Sequence, residues 1–203
     1  MDIIENRYVQ LCQQYSDIYE HLPTLYEYAT ECESVFESGV RGCVSSWALA
    51  NGLLHNGKPS PRMFLNDITS CPIQDFLDAT NDLDIIVKYK WVNNLKLDLK
   101  DNFDLTFIDT WHVYGQLKRE LAKFAPRTNK YILMHDTTLD EVYGESIRER
   151  SDIQAQSRES GIPVEEITRG IWPAVEEFLA EHPEWTLRER FTNNNGLTVL
   201  ARV

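Results

Sequence analysis

An α/β fold built on a doubly wound sheet is the architecture this sequence predicts, from three observations. Short β-branched and apolar runs alternate with stretches of helical spacing from residue 34 to residue 134, the pattern of parallel strands joined by right-handed crossovers. Two of the runs, Phe107-Ile108 and Tyr131 to Met134, stop abruptly in acidic and imidazole side chains, Asp109/His112 and His135/Asp136. The end of the chain departs from the alternation. There two strand-like runs flank Asn193-Asn194-Asn195-Gly196, a turn that makes an antiparallel hairpin.

Residues 2–31 carry apolar side chains at helical intervals (Ile3, Ile4, Tyr8, Leu11, then Leu22, Leu25, Tyr28), and His21-Leu22-Pro23 divides them into two helices of an N-terminal cover. Residues 34–37 form a first strand, and the turn from Ser38 to Gly42 leads into a helix over 44–55, closed by Gly57 and Pro59. Strand two spans 62–65, a helix spans 71–80, and strand three spans 84–91. Strands four and five, 104–108 and 130–134, enclose a helix over 113–124 with Pro126 just past its end. A polar stretch (144–160) and a helix over 170–181 precede the final strands, 185–191 and 196–200.

The length of 203 residues suits one domain, and no repeat or linker divides it. A net charge of -12 argues against a nucleic-acid partner, whose phosphates are bound through Lys and Arg. A small or uncharged substrate fits better. No apolar run reaches membrane-spanning length, and the segment following Met1 lacks the basic-then-apolar order of a secretion signal, so a cytoplasmic protein without a membrane partner is expected. The four cysteines, Cys12, Cys32, Cys43 and Cys71, form no CxxC pair and are expected as buried thiols.

Parallel sheets place ligands beyond the carboxyl ends of their strands, so Asp109, His112, His135 and Asp136 converge on one place. Each alone has a simpler explanation. A strand-end Asp often caps the next helix, as Asp109, Asp136 or Thr137 could, and His135 could equally be a supporting hydrogen-bonded side chain. Their convergence, with two histidines, favours an active site. His112, three residues beyond Asp109, is expected at its mouth, titrating near neutrality as a general base. The turn Glu37-Ser38-Gly39-Val40-Arg41-Gly42 lies where such sheets bind nucleotide-like ligands. Gly39 lets the backbone approach and Gly42 opens the helix. A carboxylate at Glu37 would repel a pyrophosphate and welcome a ligand carrying an amino group and a sulfonium, while Asp67 is placed for a ribose diol.

The segment from Glu37 to Ser46, Asp67, the strand ending at Asp109, the strand running into His135-Asp136-Thr137 and the closing hairpin resemble class I S-adenosylmethionine-dependent methyltransferases. The similarity runs from about residue 33 to the end, the expected catalytic core within a single domain 1–203. Within that superfamily the spacing resembles small-molecule O-methyltransferases, particularly those acting on sugars. The resemblance implies a Rossmann-like, seven-stranded mixed sheet of order 3-2-1-4-5-7-6 with the last strand antiparallel. It places S-adenosylmethionine over strands one to three and the acceptor over strands four and five. Carried over by position, Glu37, Gly39 and Ser45 surround the methionine part, Asp67 meets the ribose and Asn93 lies near adenine, with Ser38, Gly42 and Asp109 also among the cofactor-binding residues. Asp109-Thr110-Trp111-His112 is similar to the Asp-x-Trp-Lys of catechol-type enzymes, with His112 in the place of the base. Asp109, Asp136 and Thr137 then occupy the positions of that group's metal ligands, for Mg²⁺ or Mn²⁺.

The implied activity is methyl transfer to a sugar hydroxyl, for instance of a 6-deoxyhexose such as rhamnose in a glycan, catalysed by His112, Asp109 and His135. Two alternatives use the same sheet: a nucleotide-dependent oxidoreductase, which the lack of a full GxGxxG disfavours, and a non-catalytic S-adenosylmethionine-binding module. The chain could also be one domain of a larger glycan-processing enzyme.

Overall fold

A computed structural model gives the architecture of residues 3–203, so the start of the expected N-terminal cover lies outside the described residues. Seven strands form one sheet in the order β3-β2-β1-β4-β5-β7-β6. They are β1 (Ser34–Ser38), β2 (Arg62–Asp67), β3 (Ile86–Trp91), β4 (Phe103–Ile108), β5 (Thr128–His135), β6 (Trp185–Phe191) and β7 (Leu197–Arg202). β1 to β5 pair in parallel, and β7 runs antiparallel to both β5 and β6. The expected order and the closing hairpin are both present.

Alternation along the central strands assigns each side chain to one of two cores, since successive residues of a strand face opposite sides. Val35, Leu105, Phe107, Leu133 and Val199 enter the layer covered by α1 (Ile3–Gln13), α2 (Leu22–Thr30), α3 (Val44–Leu54) and α4 (Gln74–Thr80). Phe36, Ile108, Ile132, Met134 and Leu200 enter the opposite layer, covered by α5 (Tyr114–Phe124) and α9 (Trp172–Glu181). β1 is buried throughout, as expected of a strand covered on both faces, whereas β3 and β6 at the sheet edges are largely exposed.

Three boundaries differ from expectation. The N-terminal helices separate over residues 14–21, which include a single 3-10 turn at Tyr19–His21, and Leu22-Pro23 begins α2 instead of breaking a run, because proline is tolerated in a first helical turn. The polar stretch contains α6 (Glu145–Arg148) and α7 (Ile153–Ser160), and α8 (Val164–Thr168) follows. α7 buries no side chain, so no apolar periodicity announces it. Finally, Gly42 does not open α3. Cys43 precedes that helix in the left-handed region, at φ 60°, and Arg41 is left-handed too, at φ 44°. No described helix is long and apolar enough to cross a membrane. All four cysteines are free; Cys32, Cys43 and Cys71 are buried as expected, whereas Cys12 is only half-buried.

Candidate active site

The turn after β1 is locked against β4. Gly39 has φ 94°, and a Cβ there would lie 1.7 Å from the Asp109 carbonyl oxygen, so only glycine fits both the conformation and the contact. Backbone bonds from Gly39 to the Asn66 carbonyl and from Asp109 to the Ser38 carbonyl, each 2.9 Å, lace the ends of β1, β2 and β4 together. The Asp67 carboxylate organises the same turn. Its Oδ2 accepts from the amides of Val40 (2.8 Å) and Arg41 (3.0 Å), and its Oδ1 from the amide and hydroxyl of Thr69. Burial disfavours its charge, but these donors prevail and hold its pKa below the usual value.

Beneath the turn Glu37 is fully buried, its two oxygens accepting from the Ser45 and Ser46 hydroxyls at the start of α3. Burial raises its pKa to about 8 against the pull of both serines. Above the turn opens a cavity of about 540 Å³, lined among others by Ser38, Gly39, Asp67, Asn93 and Asp109, with Gln156, Glu159 and Ser160 of α7 at its rim. Glu37, Gly42 and Ser45 were expected around the ligand but do not line this cavity. Glu37 and Ser45 are bonded to each other below the turn, and around Gly42 a Cβ would meet nothing within 4 Å, so no close approach calls for glycine there.

At the ends of β4 and β5 the predicted cluster does form. His112 Nε2 lies 3.1 Å from Asp109 Oδ1, and its Nδ1 lies 3.1 Å from Asp136 Oδ2, 3.4 Å from Glu145 Oε2 and 3.6 Å from Asp140 Oδ2. His135 Nδ1 stands 3.5 Å from Asp109 and 3.6 Å from Asp136, while its Nε2 donates to the Asn194 carbonyl, which can only accept. Asp136 itself is left-handed, at φ 56°, a conformation that aspartate tolerates better than most residues. Asp140 is held by Arg148, which donates to both of its oxygens at 2.8 and 2.9 Å.

The electrostatics differ from the expectation of a neutral, near-neutrality base. Burial opposes charge on His112, but hydrogen bonds to Asp109 and Glu145 and the charges of Asp136 and Asp109 raise its pKa well above the ordinary histidine value. Asp109 moves the other way: burial resists ionisation, and His135 and His112 overcome it and lower its pKa. Burial raises the pKa of Asp136. His112 is also only 13% exposed and does not line the cavity, so it is not at its mouth as expected.

Asp109, His112 and Asp136 offer ligand atoms that all lie within 4.8 Å of one another. Thr137 was expected as the third ligand. Its hydroxyl is buried and accepts from Thr198 at 2.9 Å, and it is His112 that stands with the two carboxylates. Sequence reasoning missed Asp140 and Glu145, which are scattered in loop and polar stretch. It also missed a buried polar network of Asn94, Thr110, Gln116 and Glu120 at the cavity wall. Trp111 lines the cavity and Tyr114 is buried.

No family model matches the sequence, and no curated protein matches it in a sequence search. Solved structures do match in fold. The O-methyltransferase TomG from Streptomyces achromogenes, involved in tomaymycin synthesis and solved with S-adenosylmethionine, is 13% identical with a TM-score of 0.63, covering 100% of this chain and 91% of its own. An O-methyltransferase from Bacillus cereus with S-adenosylhomocysteine is 14% identical with a TM-score of 0.62, covering 100% and 92%. The N-methyltransferase NodS from Bradyrhizobium japonicum, also with S-adenosylhomocysteine, is 12% identical with a TM-score of 0.55, covering 97% and 98%. The chain has the fold of the class I S-adenosylmethionine-dependent methyltransferases.

Proposed function

We propose that this chain is an S-adenosylmethionine-dependent O-methyltransferase acting on a sugar hydroxyl, a 6-deoxyhexose in a glycan being the acceptor class, with assistance from Mg²⁺ or Mn²⁺. The observation that carries this reading is the double membership of Asp109, which lines the cavity and also belongs to the cluster with His112 and Asp136. A cofactor seated against the Gly39 turn and an acceptor seated over β4 and β5 therefore meet at one residue. Holding two reactants in line is the main task in methyl transfer, where orientation lowers a barrier by roughly 7–11 kcal/mol.

The acceptor's proton also needs a destination. With Nε2 of His112 donating to Asp109, Nδ1 is the ring atom left to receive it, and Asp136, Asp140 and Glu145 stand ready to stabilise the imidazolium. His135, pinned to the Asn194 carbonyl, holds the two carboxylates in place. The residues fit a divalent cation. Asp136 Oδ1 is buried without a hydrogen-bond partner, an arrangement costly for a protein unless something else engages it. When bound by Asp109 and Asp136, such an ion would supply positive charge that acidifies a neighbouring hydroxyl and offsets the carboxylate field on the imidazole, leaving His112 Nδ1 for the proton. The acidity of the mouth disfavours anionic acceptors and suits a neutral polyol.

Calorimetry with S-adenosylhomocysteine tests the cofactor, with micromolar affinity expected, and labelled methyl transfer to a panel of free and glycan-linked sugars tests the acceptor. Absence of binding at high micromolar ligand overturns the reading.

A further inference from the structure

Glu120, on α5, is 1% exposed and is satisfied by neutral donors alone. Its Oε1 accepts from Thr110 Oγ1 (2.6 Å), Gln116 Nε2 (2.8 Å) and Asn94 Nδ2. Asn94 Nδ2 also donates to Ser38 Oγ at 2.8 Å, and Asn94 Oδ1 accepts from Gln116 Nε2 at 3.1 Å. One carboxylate thereby ties together the end of β1, the segment after β3, the segment after β4 and α5. All four tied residues, Ser38, Asn94, Thr110 and Gln116, line the cavity.

Burial raises the pKa of Glu120 against these donors and the charge of His112, and a protein that keeps a costly buried carboxyl uses its polarity. Oε1 accepts all three bonds, and an oxygen so engaged carries no proton of its own, which fixes the orientation of every group that faces it. Both amides turn their nitrogens toward Glu120. Gln116 spends Nε2 on Glu120 and Asn94, and what it offers the cavity is Oε1. Thr110 spends its proton on Glu120 and offers lone pairs. A wall set in this way presents hydrogen-bond acceptors.

We propose that Glu120 is a positioning residue that sets Gln116 Oε1 and Thr110 Oγ1 as acceptors, so that this wall of the cavity selects a ligand base bearing an exocyclic amine over one bearing a keto oxygen. The inference rests on the reading of the cavity as an S-adenosylmethionine site. It assigns adenine selectivity to side chains of α5 and the β4 end that the sequence did not single out, and the selecting contact is Gln116. Replacing the amine of adenine by the keto oxygen of hypoxanthine turns a donor into an acceptor and leaves two lone pairs facing each other.

Calorimetry of the full chain with S-adenosylhomocysteine and with S-inosylhomocysteine measures the preference directly. The wild type is expected to favour the adenosyl ligand by about tenfold or more. Gln116→Leu, similar in size, and Glu120→Gln, which lets the amides turn over, are each expected to move that ratio toward one at an unchanged melting temperature to within a few degrees. A structural role alone would weaken both ligands equally and leave the ratio intact, which overturns the proposal. Equal wild-type affinity for the two ligands overturns it as well, even if neither variant folds. Binding of neither ligand overturns the methyltransferase reading together with this one.

Discussion

His112 donates from Nε2 to Oδ1 of Asp109, three residues earlier, at 3.1 Å, and this contact fixes which face of the imidazole looks toward β5. The other ring nitrogen then points at Asp136, so one side chain bridges the ends of two strands. A ring held this way acts on a proton at Nδ1 only, which makes its removal a chemical lesion rather than a loss of cofactor contact. His112→Ala is expected to lower kcat by roughly 10²–10⁴ while changing the Kd for S-adenosylhomocysteine less than about twofold. Steady-state kinetics beside calorimetry check this; equal losses in both would make His112 structural.

Asp136 offers a clean test of the cation. Its φ of 56° is as accessible to asparagine as to aspartate, so Asp136→Asn removes charge without disturbing the backbone. The variant is expected to bind Mn²⁺ at least about tenfold more weakly in a titration followed by the free-ion electron paramagnetic resonance signal, a common consequence of losing one metal-site group. Wild-type melting temperature should rise with Mn²⁺, EDTA should suppress activity, and added Mg²⁺ or Mn²⁺ should restore it. Full activity in chelator removes Asp136 from this role.

The strand ends were legible because everything that makes them is local. An apolar run stopping at Asp109 or His135 carries its own direction, and parallel pairing of β4 with β5 brings the ends together. Glu120 was not legible, since Gln116 and Glu120 at i,i+4 on a helix look like any solvated pair until the fold delivers Asn94 and Thr110 to them. The same holds for Glu37. Its identity pointed to the turn after β1, but its burial under Ser45 and Ser46 depends on how closely α3 packs beneath β1, which no short stretch of sequence reveals. α7 was hidden for the opposite reason, because a helix that buries nothing has no stripe to see.

Gly39→Ala tests the lock between the turn and β4. A methyl group 1.7 Å from the Asp109 carbonyl oxygen cannot be accommodated without moving one of the two strand ends, and φ 94° is itself unfavourable for alanine. Destabilisation beyond roughly 1–3 kcal/mol is expected, with loss of S-adenosylhomocysteine binding. Thermal unfolding and calorimetry read the two effects separately. An alanine variant that melts with the wild type and binds normally would show that the lock does not shape the cavity.

Glu37 makes the ligand-free protein sensitive to pH in a predictable direction. Its carboxyl titrates near 4.5 when exposed and near 8 when buried in the folded chain. Below about pH 4.5 the group is protonated in both states and contributes no difference. Between 4.5 and 8 the unfolded chain gives up this proton and the folded chain keeps it, so stability falls as pH rises through that window. Glu37→Gln cannot ionise and should lose less, by several degrees in melting temperature between pH 5 and pH 8, at about 2–4 °C per kcal/mol for a chain of this size. A slope as steep in the variant as in the wild type would assign the loss to other groups. S-adenosylmethionine is expected to reverse the preference, because its amino group and sulfonium would favour the ionised carboxylate even through the turn. Binding near pH 7 should therefore release a proton, seen as a different calorimetric enthalpy in Tris and in phosphate; identical enthalpies would show that Glu37 keeps its proton beneath the bound cofactor.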